Sequence, residues 1–207
     1  MKASDDRAWS HADFIAEDVL LDFLNTTGGK SKQRENDRLT SATALFDWGL
    51  AAQLIAKDEH TRLLQLNQTD SVAADGELSR IILWREAVHQ LLHGLSNSQA
   101  PEAGIAQQVE MVIKQAMAGA ELRHDVSRPA YWFVDLEKQG LAALRHRLAL
   151  HFNRGITGGQ YQQVKQCEAC TWMFIDTSRS RRRRWCSMST CGNRAKARRF
   201  YQSENKA

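Results

Sequence analysis

All four cysteines of this 207-residue chain lie in its last fifth, within "CEACTWMFIDTSRSRRRRWCSMSTC". The spacing is Cys167-x2-Cys170, then fifteen residues, then Cys186-x4-Cys191. Unrelated buried cysteines would be expected to scatter along the chain, whereas four thiolates at such intervals can surround one Zn²⁺ as a closed tetrahedron. The pattern therefore predicts a structural zinc site with no open position for catalysis.

Clustered cysteines have two other common uses, disulfide bonds and iron–sulfur clusters. The first residues, "MKASDDRAWSHADF", are charged and contain no apolar core of a signal peptide, and no stretch reaches the roughly 18 to 20 apolar residues of a membrane span. We therefore expect a cytoplasmic protein without a membrane partner, in which thiols hold metal rather than form disulfides. An iron–sulfur cluster remains an alternative, although the spacing lacks the usual ferredoxin runs.

Charge is distributed unevenly along the chain. The net charge is +4, yet from Lys165 onward 11 Lys and Arg face 3 Asp and Glu, a balance of +8, while the upstream part carries −4. A basic tail attached to a mildly acidic body indicates a module that binds polyanions.

The body is predicted to be mostly helical. Apolar residues at helical spacing occur in "EDVLLDFLNTTGG", "ATALFDWGLAAQLI", "DEHTRLLQLN", "GELSRIILWREAVHQLLHGL" and "LAALRHRLALHFN". Pro101 suits the first turn of a further helix, and β-prone residues flanking Ser127-Arg128-Pro129 predict a β-hairpin. The predicted fold class is a mainly α domain with a small β element (α+β). The Gly-rich "RGITGGQ" places the boundary between residues 1–158 and 159–207.

The second segment is too short to build a sufficient core alone. Zinc can supply on the order of 10 kcal/mol of folding free energy to such a unit. Between the cysteine pairs, apolar side chains alternate along the start of "TWMFIDTSRSRRRRW" and a turn follows at Asp176, which predicts a hairpin. After Cys191, the segment "GNRAKARRFYQ" predicts a helix. A knuckle, a hairpin and a helix describe a treble-clef-like four-cysteine finger.

These residues resemble bacterial proteins that join an ABATE domain to a CGNR-type zinc finger, described as stress-induced transcription regulators. The finger carries the match in C-x2-C, in W-x-F-x-D-x-S-R from Trp172 to Arg179, in "RRWCSM", and in Cys191-Gly192-Asn193-Arg194. The segment "LDFLNT", from Leu21 to Thr26, is similar to the ABATE signature. The resemblance implies zinc at Cys167, Cys170, Cys186 and Cys191, and DNA as the partner.

The basic residues of the finger are the candidate nucleic-acid contacts. The planar guanidinium group of arginine can donate two hydrogen bonds at once to phosphate oxygens or to a guanine edge, and a helix fits a major groove. The alternative is a solvated face or pairing with acids such as Asp176, but the body's excess of four acids is too small to neutralise the tail. The aromatic residues among the charges are expected to form the finger's core rather than to stack on bases. The candidate contacts are Arg179, Arg181, Arg182, Arg183, Arg184, Arg194, Lys196, Arg198 and Arg199.

The body contains one candidate ligand site and no recognisable catalytic machinery. Asp22, Asn25 and Thr26 fall within one turn at a helix end, where they either cap that end or bind a small molecule. His89 and His93 in "HQLLH" share the spacing of two metal ligands, but Gln90 stands where a zinc protease needs its glutamate. We therefore expect a protein that is not an enzyme.

The sequence thus predicts a zinc-binding, DNA-binding transcription regulator whose body senses a ligand or forms a homodimer. Two alternatives remain open: an RNA-binding protein that uses the same finger, and a protein-interaction module whose arginines dock on an acidic partner. The DNA site, the ligand, the stress and the oligomeric state are not encoded in any recognisable pattern.

Overall fold

The computed structural model describes residues 8–126 and 128–204. This part of the chain forms eight α-helices and four short strands. In chain order they are α1 (Val19–Leu24), α2 (Ala42–Ala51), α3 (Lys57–Thr69), α4 (Ser71–Ser96), α5 (Ile105–Gly119), β1 (Glu121–Asp125), β2 (Arg128–Phe133), α6 (Leu136–Gln139), α7 (Ala143–Thr157), β3 (Val164–Gln166), β4 (Met173–Ile175) and α8 (Asn193–Glu204). Within these ranges, no helix combines the length and the apolar character that crossing a bilayer requires.

The long helix α4 is the centre of the body, and α1, α2, α3 and α5 pack against it. Aromatic side chains link these helices through the core. The ring of Phe23 on α1 lies 5.1 Å from that of Trp48 on α2 and 6.4 Å from that of Trp84 on α4. Phe152 on α7 continues the cluster at 6.4 Å from Trp84. Burial of these large apolar rings is the main source of the body's stability.

Capping side chains begin two of the helices. The Asp18 carboxylate accepts hydrogen bonds from the backbone N–H groups of Leu20 and Leu21 and so begins α1. Ser41 caps α2 in the same way through Ala44. Helix α1 is short and almost wholly buried, and at its other end the Asn25 N–H donates to the Leu21 carbonyl at 2.9 Å.

The loop between α1 and α2 is held by buried charges on α4. Arg85 is only 2% exposed, and its guanidinium donates to both carboxylate oxygens of Asp37 at 3.0 and 2.6 Å. Arg34 in turn pairs with Glu86 at 2.6 Å and donates to the carbonyl of Leu24. A buried charge needs such complete pairing, so the loop has a defined path across α4.

The predicted β-hairpin in the body is confirmed. Strands β1 and β2 are antiparallel, with Glu121 opposite Phe133 and Leu122 opposite Trp132. Ser127, at the predicted turn, lies outside the described residues. The sheet is small, as the predicted mainly α fold class with a minor β element required.

The hairpin predicted between the two cysteine pairs is wrong in its pairing. Strand β4 pairs with β3, which precedes the first cysteine, so that Val164 lies opposite Ile175 and Gln166 opposite Met173. The turn of this hairpin is the Cys167–Cys170 knuckle itself. The arginine-rich segment that follows is irregular from Asp176 to Ser187, because its backbone is organised by the Asp176 side chain rather than by a neighbouring strand.

Candidate metal centre and basic surface

The four thiols converge at one buried point. Their sulfur atoms all lie within 4.8 Å of one another. The separations from Cys170 to Cys186, from Cys186 to Cys191 and from Cys191 to Cys170 are 3.8, 3.5 and 3.7 Å. A tetrahedron with Zn–S bonds of about 2.3 Å has edges of about 3.8 Å, so this arrangement fits zinc.

Local structure brings the ligands together from two directions. Cys167 and Cys170 lie at the ends of the knuckle between β3 and β4, where the Cys167 N–H donates to the Trp172 carbonyl at 2.8 Å. Cys191 lies in a wide helical turn, Met188–Gly192, which runs directly into α8. This start to a helix directs the second ligand pair toward the knuckle, as in a treble-clef arrangement.

The protonation of the cluster favours a divalent cation. Hydrogen bonds to the sulfurs of Cys167 and Cys170, together with burial, hold the pKa of the Cys186 thiol far above its usual range. The pKa of Cys167 is displaced far downward, because the thiols of Cys170 and Cys186 donate to its sulfur. Burial of four neighbouring thiols disfavours several thiolates at once unless a cation compensates their charge, and Zn²⁺ bound here would allow all four to ionise.

Basic groups around the cluster provide compensation for the charge of a four-thiolate centre. Arg194 Nη2 lies 2.8 Å from the sulfur of Cys191. Lys32, in the loop of the body, donates from Nζ to the carbonyl of Cys167 at 2.6 Å and to that of Cys170 at 3.2 Å. Such outer contacts orient ligands and tune the metal. Lys32 was not singled out in the sequence, because its polar loop carries no motif.

The residues of "LDFLNT" make contacts with the protein itself. The Asp22 carboxylate accepts from the N–H groups of Ile15 and Ala16 at 3.0 Å each, and burial raises its pKa to about 7. Thr26 Oγ1 donates to the carbonyl of Phe23 and accepts from Arg85. These side chains hold α1 in place through hydrogen bonds within the protein. The ligand site proposed for them from the sequence stays a prediction.

Asn25 makes the most informative contact of that motif. Its amide nitrogen donates to the Met173 carbonyl at 2.8 Å, and its oxygen accepts from the Met173 N–H at 2.9 Å. A side-chain amide thus pairs with β4 as another strand would. The partners are 148 residues apart in sequence, so "LDFLNT" forms a seat on which the zinc finger docks.

Two glycines complete this seat. Gly28 and Gly29 have φ values of 79° and 87°, a left-handed conformation that favours glycine. A Cβ on Gly28 would lie 2.2 Å from the Thr171 hydroxyl, and one on Gly29 would lie 2.8 Å from the Trp172 ring. The Trp172 indole N–H donates to the carbonyl of Thr27 at 3.0 Å. Finger and body therefore touch closely along the glycine pair.

Asp176 organises the arginine-rich segment. Its buried carboxylate accepts from the Lys165 ammonium at 2.7 Å, the Ser178 hydroxyl at 2.6 Å and the Arg183 N–H at 2.9 Å. The Lys165 ammonium and the Ser178 hydroxyl hold the pKa of Asp176 well below its usual range. The carboxylate therefore stays charged and fixes the path from β4 to the second cysteine pair.

The structure divides the nine predicted basic contacts into two groups. Four have partners within the protein: Arg181 reaches Gln163, Arg184 pairs with Glu168, Arg183 donates to the carbonyls of Ile15, Trp185 and Cys186, and Arg194 to those of Gly29 and Lys30. The other five, all exposed, make no side-chain hydrogen bond or ion pair within the described part of the chain. They are Arg179, Arg182, Lys196, Arg198 and Arg199.

The two histidines of "HQLLH" lie on α4 with ring centroids 6.4 Å apart. His89 is buried, and its Nε2 lies 3.3 Å from the Thr171 carbonyl in the finger. Burial and the nearby charge of Arg34 lower its pKa to about 4, so the ring is neutral at pH 7. Among the described residues, the four cysteines form the one group of three or more ligands close enough to share a metal.

Comparisons with protein families match both parts of the chain. A family model named ABATE, with the description "Putative stress-induced transcription regulator", matches residues 17–152. A second model, described as "CGNR zinc finger", matches residues 163–203 and includes all four cysteines. A comparison with curated proteins found no match.

Proposed function

Because the chain belongs to the ABATE family and ends in a CGNR zinc finger, we propose that it is a transcription regulator that binds DNA through this finger and catalyses no reaction. Zinc is its structural cofactor, and the four-cysteine cluster fits the ion.

One observation carries the proposal: α8 is exposed, and three of its cations make no side-chain hydrogen bond or ion pair with residues 8–126 and 128–204. This helix packs mainly against the turn that holds Cys191, and Lys196, Arg198 and Arg199 project from it into solvent. Twelve residues give a helix of about 18 Å, which can lie in a major groove about 12 Å wide.

The arginines that make contacts within the protein support the same interpretation. Arg183 stacks 4.2 Å from the Phe174 ring centroid and holds three carbonyls. Arg194 holds two carbonyls and a ligand sulfur. The finger therefore uses part of its positive charge to maintain its shape. The remaining cations are exposed and available to a partner that carries negative charge along its surface, and a phosphate backbone is such a partner.

The test is binding of the zinc-loaded protein to duplex DNA as a function of salt. Five phosphate contacts predict a slope of log K against log salt of about −4.5. Arg182→Ala should reduce the slope by about 1 on every sequence. Lys196→Ala, if its side chain reads a base edge, should cost about 1 to 3 kcal/mol on the preferred site alone. Arg62→Ala, on the body's helix α3, is the matched control and should change neither quantity.

The competing functions give different results in the same assay. Tighter binding to single-stranded RNA than to duplex DNA would favour an RNA-binding protein. Absence of binding to DNA, RNA and heparin at low salt would reject a nucleic-acid function and favour an acidic protein partner.

A further inference from the structure

A small cleft lies where the glycine loop of the body meets the finger. Its volume is about 180 Å³. Lys30 lies on the body side, while Trp185, Arg198 and Arg199 lie on the finger side. Sites for drug-sized ligands usually occupy about 300 to 1,000 Å³, so this cleft suits a single small group rather than a metabolite.

The charge of the cleft is strongly positive and largely uncompensated. Lys30, Arg198 and Arg199 are exposed and make no side-chain hydrogen bond or ion pair within residues 8–126 and 128–204. Glu168 also lines the cleft, but its two carboxylate oxygens are occupied by Arg184 at 2.6 and 2.5 Å. Three cations therefore line a space whose one carboxylate is already hydrogen-bonded to Arg184, while Arg199 interacts with that carboxylate only electrostatically.

Contacts from the finger hold the backbone of Lys30 in place. Arg194 donates to the carbonyls of Gly29 and Lys30 at 2.8 Å each, and it also contacts the ligand sulfur of Cys191. Gly29 adopts a left-handed conformation against the Trp172 ring. The backbone on which Lys30 stands is thus fixed to the metal centre, although Lys30 belongs to the body.

We propose that this cleft binds one phosphodiester phosphate of the DNA backbone, held jointly by Lys30 of the body and by Arg198 and Arg199 of the finger. The inference rests on the proposed DNA-binding function and adds to it. It makes the body part of the nucleic-acid interface, and it assigns to the Arg of the CGNR motif a positioning role rather than a contact with phosphate.

The test compares Lys30→Ala with wild type in full-length, zinc-loaded protein binding to duplex DNA. Loss of one phosphate contact should reduce the magnitude of the salt slope by about 0.9, which corresponds to about eightfold weaker binding at 0.1 M salt. Lys30→Arg should restore most of the slope, because a phosphate contact requires the charge. Lys57→Ala, an exposed lysine on α3 of the body, should leave the slope unchanged.

The outcomes separate this inference from the function on which it rests. A wild-type protein with a steep salt slope that Lys30→Ala leaves unchanged would overturn the inference and leave DNA binding intact. Weakened binding that Lys30→Arg fails to restore would also overturn it. A wild-type protein that does not bind DNA would overturn the proposed function itself.

Discussion

Asn25 shows how one side chain can join two parts of a fold. Its amide satisfies both the N–H and the C=O of Met173, a residue that is itself fully buried. Asparagine suits this position because its side chain carries the same donor and acceptor pair as a peptide group. Neither aspartate nor leucine, although similar in size, could make both bonds.

Asn25→Ala should therefore lower the free energy of unfolding by about 2 to 4 kcal/mol, since two buried backbone groups lose their partner. Denaturant unfolding followed by circular dichroism measures this loss. The matched control is Asn67→Ala, whose amide makes only a 3.5 Å contact with Thr43 and should cost less than about 0.5 kcal/mol. If the two substitutions lowered the free energy of unfolding equally, Asn25 would not hold the finger on the body.

Asp22 gives the stability a pH dependence of unusual sign for a carboxylate. Burial raises its pKa to about 7 in the folded protein, whereas the unfolded chain has the ordinary value near 3.9. Between these values the folded state binds the additional proton, so this group contributes stability at low pH that is lost as pH rises from about 4 to about 7.

Asp22→Asn should remove this contribution, because the amide oxygen still accepts from Ile15 and Ala16 but no longer ionises. The variant should gain stability relative to wild type as pH rises, by at most about 4 kcal/mol at pH 8. Urea unfolding of both proteins at several pH values isolates the effect, since other groups such as His89 cancel in the difference. A constant difference from pH 4 to 8 would contradict the shifted pKa.

At the scale of elements, the sequence predicts best what depends on neighbours along the chain. The apolar spacing of α2 and α4 and the capping side chain of Ser41 are local signals, and the structure follows them. The helix expected to begin near Pro101 instead begins at Ile105, because Gly104 has a φ of 89°. A glycine in that conformation belongs to a turn rather than to a helix.

The elements of the finger show why the remainder could not be predicted. The alternation in "TWMFIDTSRSRRRRW" identifies β4 but not its partner, since two flanking segments were available for pairing and the metal knuckle is a turn without a common turn signature. The polar "KSKQRENDR" conceals Lys30 and Lys32, whose roles follow from contacts with residues more than 130 positions away. The zinc ligands were predictable because their spacing alone encodes the site.

The glycine loop before this segment provides a paired test at the same scale. Gly29→Ala should destabilise the protein by about 2 kcal/mol or more, since a left-handed alanine costs about 1 to 2 kcal/mol and its Cβ would press on Trp172. Gly76→Ala on α4 should stabilise it by about 0.5 to 1 kcal/mol, because only the Arg80 guanidinium lies within 4 Å of the added carbon. Thermal unfolding of both variants measures the opposite signs.

At the scale of the whole molecule, zinc finger and body share one apolar core. Met173, Phe174 and the ligand cysteines are buried together with the helices of the body, and the Ile175 N–H donates to the Ala16 carbonyl at 3.0 Å. A metal that folds the finger therefore also preserves contacts that the body needs. Because of this shared core, we expect zinc to stabilise the body as well as the finger, although the body's own helices should remain folded without it.

Zinc removal should consequently lower the melting temperature of the body as well as unfold the finger. Loss of the docking contacts, at about 1 kcal/mol for each hydrogen bond, removes about 3 kcal/mol or more, which for a chain of this size corresponds to about 6 to 12 °C. Circular dichroism at a helix wavelength with and without chelator measures the shift, and Cys186→Ser should reproduce it without chelator. Asn25→Ala, in which docking is already weakened, should respond less to the chelator. If the melting temperature of the body were the same in all these samples, the two parts would fold independently. The docking contacts at the seat formed by "LDFLNTTGG" would then not stabilise the body.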